Sequence, residues 1–254
     1  MSARGMILAL LLSLAAGRAA AAETAAELYN QGNAAYGKGD FAQAAELYRS
    51  ALAQGGKTAE VYYNLGNASW KAGDLGRAVA AYERAWRLKP RDPDAAHNLR
   101  FARVQIKGKL PAVERGFWLE NWDRLRDGFS LDELTLVLSV GWFLFGGGLA
   151  ARLSNHRPWM RSAGSAVLGA GLAALLLAGP VFAAKLQKEV LTQEAVILAE
   201  RVEARSGPGP QNAQLFELFA GMDVIVRQCE SGWCEVRVPG GLAGWIAAGT
   251  FEMF

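Results

Sequence analysis

The side chains best suited to covalent or metal chemistry are few in this chain. Cysteine occurs only at Cys229 and Cys234 and histidine only at His97 and His156, so no His/Cys/carboxylate set with metal-ligand spacing can be assembled. Cys229 and Cys234 flank ESGW, which reads as the tip of a β-hairpin with the cysteines on adjacent strands. Cysteines opposed in this way can meet disulfide geometry, and an oxidising compartment would make the bridge a structural staple. A redox role would more naturally use a two-residue spacer and a helix start that stabilises the thiolate. His156 falls in a basic loop and His97 on a helical segment, so neither is placed to serve the cysteines as a base. The run Gly146 to Gly148 lies within an apolar segment and precedes no lysine, which removes it as a phosphate loop. Asp92 with Asp94, and Asp132 with Glu133, fit helix starts better than paired catalytic carboxylates. The expectation is a non-enzymatic protein with no metal and no cofactor.

Binding chemistry, by contrast, recurs at a fixed interval. YNQGNAAYGKGD at 29–40 returns as YNLGNASWKAGD at 63–74, an offset of 34 residues. Tyr29, Tyr63 and His97 are 34 apart, as are Asn30, Asn64 and Asn98, and Asn33 and Asn67 repeat one turn further on. Asparagine offers a donor and an acceptor to a peptide backbone, and an aromatic ring offers flat apolar contact. These eight residues are therefore candidates for a groove that takes an extended segment of another protein. The same asparagines could instead cap neighbouring turns inside the stack, and the sequence leaves that alternative open.

A repeat of this length implies stacked copies of one supersecondary unit that share a core. The alignment pairs Gly32 with Gly66, Gly39-Asp40 with Gly73-Asp74, Ala44 with Ala78, Tyr48 with Tyr82 and Ala51 with Ala85. The spacing from Gly66 to Ala78, Tyr82, Ala85 and Pro90 resembles the tetratricopeptide repeat. Residues 23–106 are thus expected to hold repeats at about 25–58 and 59–92 and a cap helix at 93–106. The resemblance implies that the first helix of each pair lines a concave face. Co-chaperone repeats of this kind grip a terminal carboxylate with Lys and Arg at positions that are Tyr29 and Asp94 here, so no such clamp is expected.

The 254 residues are 52% hydrophobic, with 27 Lys and Arg against 24 Asp and Glu and a net charge of +3. That balance argues against a nucleic-acid partner, while the apolar excess points to membrane. The opening, with Arg4, an apolar run from Met6 to Ala16 and Ala20-Ala21-Ala22, reads as a signal peptide over 1–22, or as an uncleaved anchor. Ser130 and Glu133 fit a capping box ahead of an uncharged run, and membrane helices are expected at 132–151 and 162–184. The basic loop 152–161, with Arg152, Arg157 and Arg161, would lie in the cytoplasm and both flanking regions outside it. Glycines 146 to 148, and Ser165 with Gly169, are candidates for close helix contact. In the juxtamembrane segment 107–131, Trp118, Trp122 and Leu125 share a helical spacing that suits either the membrane surface or the repeat domain.

From 190 to 254 the pattern turns to short apolar strands with Gly/Pro-rich turns. VEARSGPGP, FAGMDVIVRQ, SGWCEV and GGLAGWI, in that order, resemble a bacterial SH3-like domain. All six tyrosines lie at or before Tyr82, which argues against a tyrosine-lined groove for proline-rich ligands, and Trp233 and Trp245 suit the core or rim. The fold class expected is a multidomain membrane protein: an all-α tetratricopeptide-repeat solenoid, a two-helix transmembrane hairpin and a small all-β SH3-like barrel. That order resembles the BatE-type proteins of the bacterial aerotolerance (Bat) group. The resemblance implies an inner-membrane scaffold, with repeats and barrel in the periplasm, working beside von Willebrand factor A-domain membrane proteins and a MoxR-type ATPase. Peptidoglycan binding through the barrel is the alternative, and a thiol-disulfide carrier a further one.

Overall fold

The computed structural model describes residues 23–108, 116–154 and 157–254; the expected signal peptide, the stretch 109–115 and His156 lie outside them. Among the described residues five helices come first: α1 (Ala25–Gly37), α2 (Phe41–Ala53), α3 (Ala59–Lys71), α4 (Leu75–Leu88) and α5 (Pro93–Val104). Their starts are chemically marked. Thr24 and Glu27 exchange bonds in a capping box, and Thr58, Asp74 and Asp92 each accept from a backbone N–H of the first turn. Within each pair the chain turns through Gly39 or Gly73, whose φ values of 86° and 82° favour glycine. A Cβ at Gly32 would lie 2.6 Å from the Tyr48 ring, and one at Gly66 2.5 Å from the Tyr82 ring. The aromatic of each second helix therefore sits directly on the glycine of the first, and Ala44, Ala51, Ala78 and Ala85 complete a core of small residues.

Helix α6 (Phe117–Asp127) leads to a hairpin of α7 (Leu131–Ser154) and α8 (Pro158–Leu186), which ends in a single π turn at Gln187–Leu191. Both arms are long and apolar enough to cross a membrane, with mean hydropathies of 1.8 and 2.1. At about 1.5 Å per residue α7 spans roughly 36 Å, more than a hydrocarbon core of about 30 Å. Phe143 and Leu177 are more than three-quarters exposed, and such outward apolar surface on an isolated helix pair suits lipid better than water. The arms run past the limits expected from the uncharged runs, and most of 152–161 is helical.

Of the residues the sequence suggested for close contact between the arms, only Gly148 makes it. A Cβ at Gly146, Gly147 or Gly169 would meet nothing within 4 Å, and Ser165 instead accepts from Arg152 at 2.9 Å. The contact is made by Gly141 and Gly148 against Gly171 and Gly164: a Cβ at Gly148 would collide with the backbone of Leu168, and one at Gly171 with that of Phe145. Each pair is seven residues apart, two turns of helix, which keeps all four glycines on one seam. The stretch GWFLFGGG puts three glycines in a row, and only the last faces the partner helix.

Seven strands close the chain: β1 (Glu194–Ile197), β2 (Arg201–Arg205), β3 (Gln214–Phe219), β4 (Asp223–Glu230), β5 (Trp233–Arg237), β6 (Ala243–Ala247) and β7 (Phe251–Met253). They form one antiparallel sheet in the order β3-β2-β6-β5-β4-β1-β7 around a core of Ile197, Leu218, Val224, Val236 and Ile246. Trp233 and Trp245 are half-buried at its rim.

Repeats and barrel share a core. Val196 packs with Val79, Leu99 and Ala102 of α4 and α5, and Ile106 packs on the barrel interior. A Cβ at Gly76 would lie 2.7 Å from the Ile197 carbonyl oxygen, so the first turn of α4 abuts the end of β1 directly. Charge surrounds this apolar centre: Arg84 pairs with Glu252, Arg87 with Glu194, and Arg103 with Asp223. Phe254 lies beneath Arg87, 4.4 Å from guanidinium to ring centre.

Candidate functional site

The recurring tyrosines and asparagines form a hydrogen-bonded ladder. Tyr48 Oη donates to Asn33 Oδ1 at 2.8 Å, and Asn64 Nδ2 donates to Tyr29 Oη at 3.0 Å and to the same Asn33 Oδ1 at 3.4 Å. One repeat later Tyr82 donates to Asn67 at 2.8 Å, and Asn98 donates to Tyr63 at 3.2 Å and to Asn67 at 3.0 Å. Each rung links the two helices of one repeat to the first helix of the next. Burial, more than any neighbouring charge, pushes the Tyr48 phenol up to about 12 and the Tyr82 phenol higher still, so both remain donors at any physiological pH.

This geometry changes the reading of the phrase that repeats. Tyr29, Asn33, Tyr63, Asn64, Asn67 and Asn98 take part in holding one repeat to the next; Asn30 is exposed and makes no side-chain hydrogen bond among the described residues. Asn67→Ala removes the acceptor of two partly buried donors and should destabilise the repeat domain by about 2 kcal/mol, whereas Asn30→Ala should change it by less than about 0.5 kcal/mol. Thermal melts of the two variants of the full chain measure the difference.

What the ladder leaves open is a recess of about 280 Å³ lined by Tyr36, Asn67, Trp70, Lys71, Tyr82, His97, Asn98 and Phe101. Trp70 and Phe101 meet edge to face, with centroids 5.3 Å apart, and Phe101 is half exposed. His97 and Asn98 therefore do border the same recess as Asn67, while Tyr29, Asn30, Asn33, Tyr63 and Asn64 are not among its lining residues. The sequence does not single out Trp70 and Phe101, because they break the 34-residue identity: Trp70 aligns with Tyr36, and Phe101 belongs to the third, unpaired helix. The recess is lined from α1, α3, α4 and α5, whereas the barrel meets α4 and α5 through Val79, Leu99 and Ala102. Among the described residues no part of the barrel lines the groove.

At the other end of the chain, Cys229 and Cys234 face each other across β4 and β5 and are joined, with Cα atoms 4.0 Å apart. The turn between them places Ser231 and Gly232 at φ 51° and 80°, the positive values a two-residue hairpin turn needs. Because the closed loop is short, Cys229→Ser/Cys234→Ser should lower barrel stability by about 2 kcal/mol without unfolding its separate apolar core. A denaturant titration followed by Trp233 and Trp245 emission reads that loss.

Helix pairs stacked through a shared ladder, followed by a small antiparallel barrel, define a protein built from two binding-type modules. Residues 29–96 match the tetratricopeptide repeat family model, and residues 199–251 match the bacterial SH3 domain model. No curated protein matches the chain. The first similarity points to protein–protein interaction and the second to contact with cell wall.

Proposed function

We propose that this chain is a non-enzymatic adaptor, anchored in a bacterial inner membrane by α7 and α8, that holds a protein partner in its repeat groove on the periplasmic side. The observation that carries the reading is the placement of the barrel: it covers the outer face of α4 and leaves the recess around Trp70, His97 and Phe101 accessible. Two spans between the repeats and the barrel also agree with their being packed together on one side of the hairpin. By the order of its modules the adaptor would belong to a Bat-type assembly linked to aerotolerance or envelope stress, with von Willebrand factor A-domain membrane proteins and a MoxR-type ATPase as its partners. A second reading, peptidoglycan contact through the barrel, is supported by the bacterial SH3 similarity.

The ladder dictates how the groove must be tested. Alanine at Asn33 or Asn64 would weaken the stack itself, so loss of a partner would not separate binding from folding. His97→Glu/Phe101→Ser alters exposed side chains at the recess instead. The full chain carrying this pair should keep its melting temperature and lose the candidate A-domain partner in pull-downs; undiminished recovery would remove the groove from the proposal. Sedimentation with purified cell wall tests the second reading. Reporter fusions at 110, 156 and 254 should read outside, inside and outside.

A further inference from the structure

Helix α6 carries five large apolar side chains in 11 residues, and they do not share one side. Trp122, the least exposed of the five, lines a recess of about 580 Å³ with Arg126, Ala184, Lys188, Arg87 and Arg103. That side of α6 therefore meets the end of α8 and the repeats. Asp127 holds it there, accepting from Arg126 at 2.8 Å and from Lys188, in the turn that follows α8, at 3.1 Å. Asp123 pairs with Arg126 at 2.8 Å, so the charges on this side are matched within the chain. At about 100° per residue, Phe117, Trp118 and Leu125 form a second stripe roughly 100° wide. Trp118 is 83% exposed and Phe117 68%, and their rings meet edge to face with centroids 5.4 Å apart. None of the three joins the core clusters of repeats or barrel. Asn121, the polar residue of the stripe, donates back to the Phe117 carbonyl at 2.9 Å, and Glu120 and Arg124 pair at 2.8 Å along its edge.

The place of this stripe in the fold says what covers it. Helix α6 packs on α8 and leads directly into the first turn of α7. It therefore sits at the open end of the hairpin, where the uncharged run of α8 gives way to Lys185 and Lys188. At the closed end the span itself exposes an aromatic, Trp159, between Arg157 and Arg161. At the open end neither arm exposes an aromatic in its last two turns among the described residues, and the exposed rings there are those of α6. Tryptophan is favoured at the headgroup level of a bilayer, which suits both its apolar ring and its polar N–H. We infer that α6 is an interfacial helix, lying in the lipid headgroup layer at the open end of the hairpin with Phe117, Trp118 and Leu125 immersed. This inference rests on the reading that α7 and α8 span a bilayer. The helix carries three acids and two arginines, so its rings hold it in place and attraction to anionic lipid does not.

Cys229 and Cys234 are joined, so one added cysteine can carry a nitroxide label in the full chain. Labels at Trp118→Cys, Arg124→Cys and Phe143→Cys, read in phosphatidylcholine nanodiscs by collision with oxygen and with a water-soluble nickel chelate, test the site. The label at 143 should meet oxygen and exclude nickel. The label at 118 should meet oxygen too, and should see nickel several-fold less than the label at 124. Equal nickel access at 118 and 124, with 143 still in lipid, would overturn the inference and leave the spans standing. Nickel access at 143 would sink the spanning reading and this one together. Shielding of 118 from both reagents would mean that protein, a second copy or another chain, covers the stripe, and would also overturn it. Replacing part of the lipid by phosphatidylglycerol should leave the contrast unchanged; deeper immersion with anionic lipid would overturn the role given to the rings. In the unlabelled chain, Trp118→Phe should remove emission that brominated phosphatidylcholine quenches, and loss of unquenched emission alone would count against immersion.

Discussion

Leucine in place of Gly148 is expected to break the α7–α8 hairpin, and leucine in place of Gly146 to leave it intact. The two positions are neighbours in sequence with the same composition around them, so propensity and hydropathy change almost equally. They differ in what a side chain would meet. At Gly148 a Cβ would collide with the Leu168 backbone and approach the Gly164 carbonyl oxygen to 2.8 Å; at Gly146 it would point into open space. Backbone cannot rotate aside as a side chain can, so the two arms must separate along the whole seam that Gly141, Gly164 and Gly171 share. Between helices in lipid there is little hydrophobic drive to offset that separation, since lipid tails are as apolar as the side chains. The cost should reach about 3 kcal/mol, the upper end of what overpacking does in close-packed sites. Melting of the full chain in detergent, read beside spin-label distances across the arms, measures it. Equal losses for Gly148→Leu and Gly146→Leu would show that the seam does not hold the hairpin.

Periodicity and turn chemistry make part of this fold legible in the sequence, and contacts between distant segments do not. The helix pairs, their glycines and the ring that each glycine meets follow from a 34-residue period, because periodicity reports contacts repeated in every copy. The hairpin tip at Ser231-Gly232 is legible because its positive φ values restrict the residues allowed there. The ladder was half legible: the recurrence of Tyr29, Asn33, Tyr63, Asn64 and Asn67 was visible, but a donor or acceptor turned toward a partner looks the same in sequence as one turned toward the next repeat. Tyr48 and Tyr82 decide the matter by occupying Asn33 and Asn67. The docking of barrel on repeats was not legible at all. Arg84, Arg87 and Arg103 read as ordinary charges on helix surfaces, and their acidic partners lie more than a hundred residues away on strands.

Arg87→Ala is the change expected to cost most outside the hairpin. Its side chain is 11% exposed and lies between Glu83, 5% exposed, and Glu194, 21% exposed. Burial alone would favour a neutral guanidine, yet the charges of Glu83 and Glu194 outweigh it, so the group is held above its ordinary pKa and stays charged. Removing one member of such a set leaves carboxylates in a site they cannot leave without opening the interface, and the loss should be about 3–5 kcal/mol. Glu83 retains Arg103 at 3.0 Å, but Glu194 has no second cation within ion-pair distance among the described residues, so the damage should fall on the barrel side. Lys89→Ala, which removes an exposed pair with Glu60, should change stability by no more than about 0.5 kcal/mol. Besides the core they share, each domain has a cluster of its own, around Leu28, Tyr48 and Leu65 in the repeats and around Ile197, Leu218 and Ile246 in the barrel, so loss of docking has a distinctive signature: Arg87→Ala should split one denaturant transition into two, with the barrel and the repeats unfolding apart. A single transition at an unchanged midpoint would mean that Val79, Val196 and Leu99 hold the domains together without the charges. In that case the arginines are there for something else, and the recess beside Arg87 and Arg103 is where to look for it.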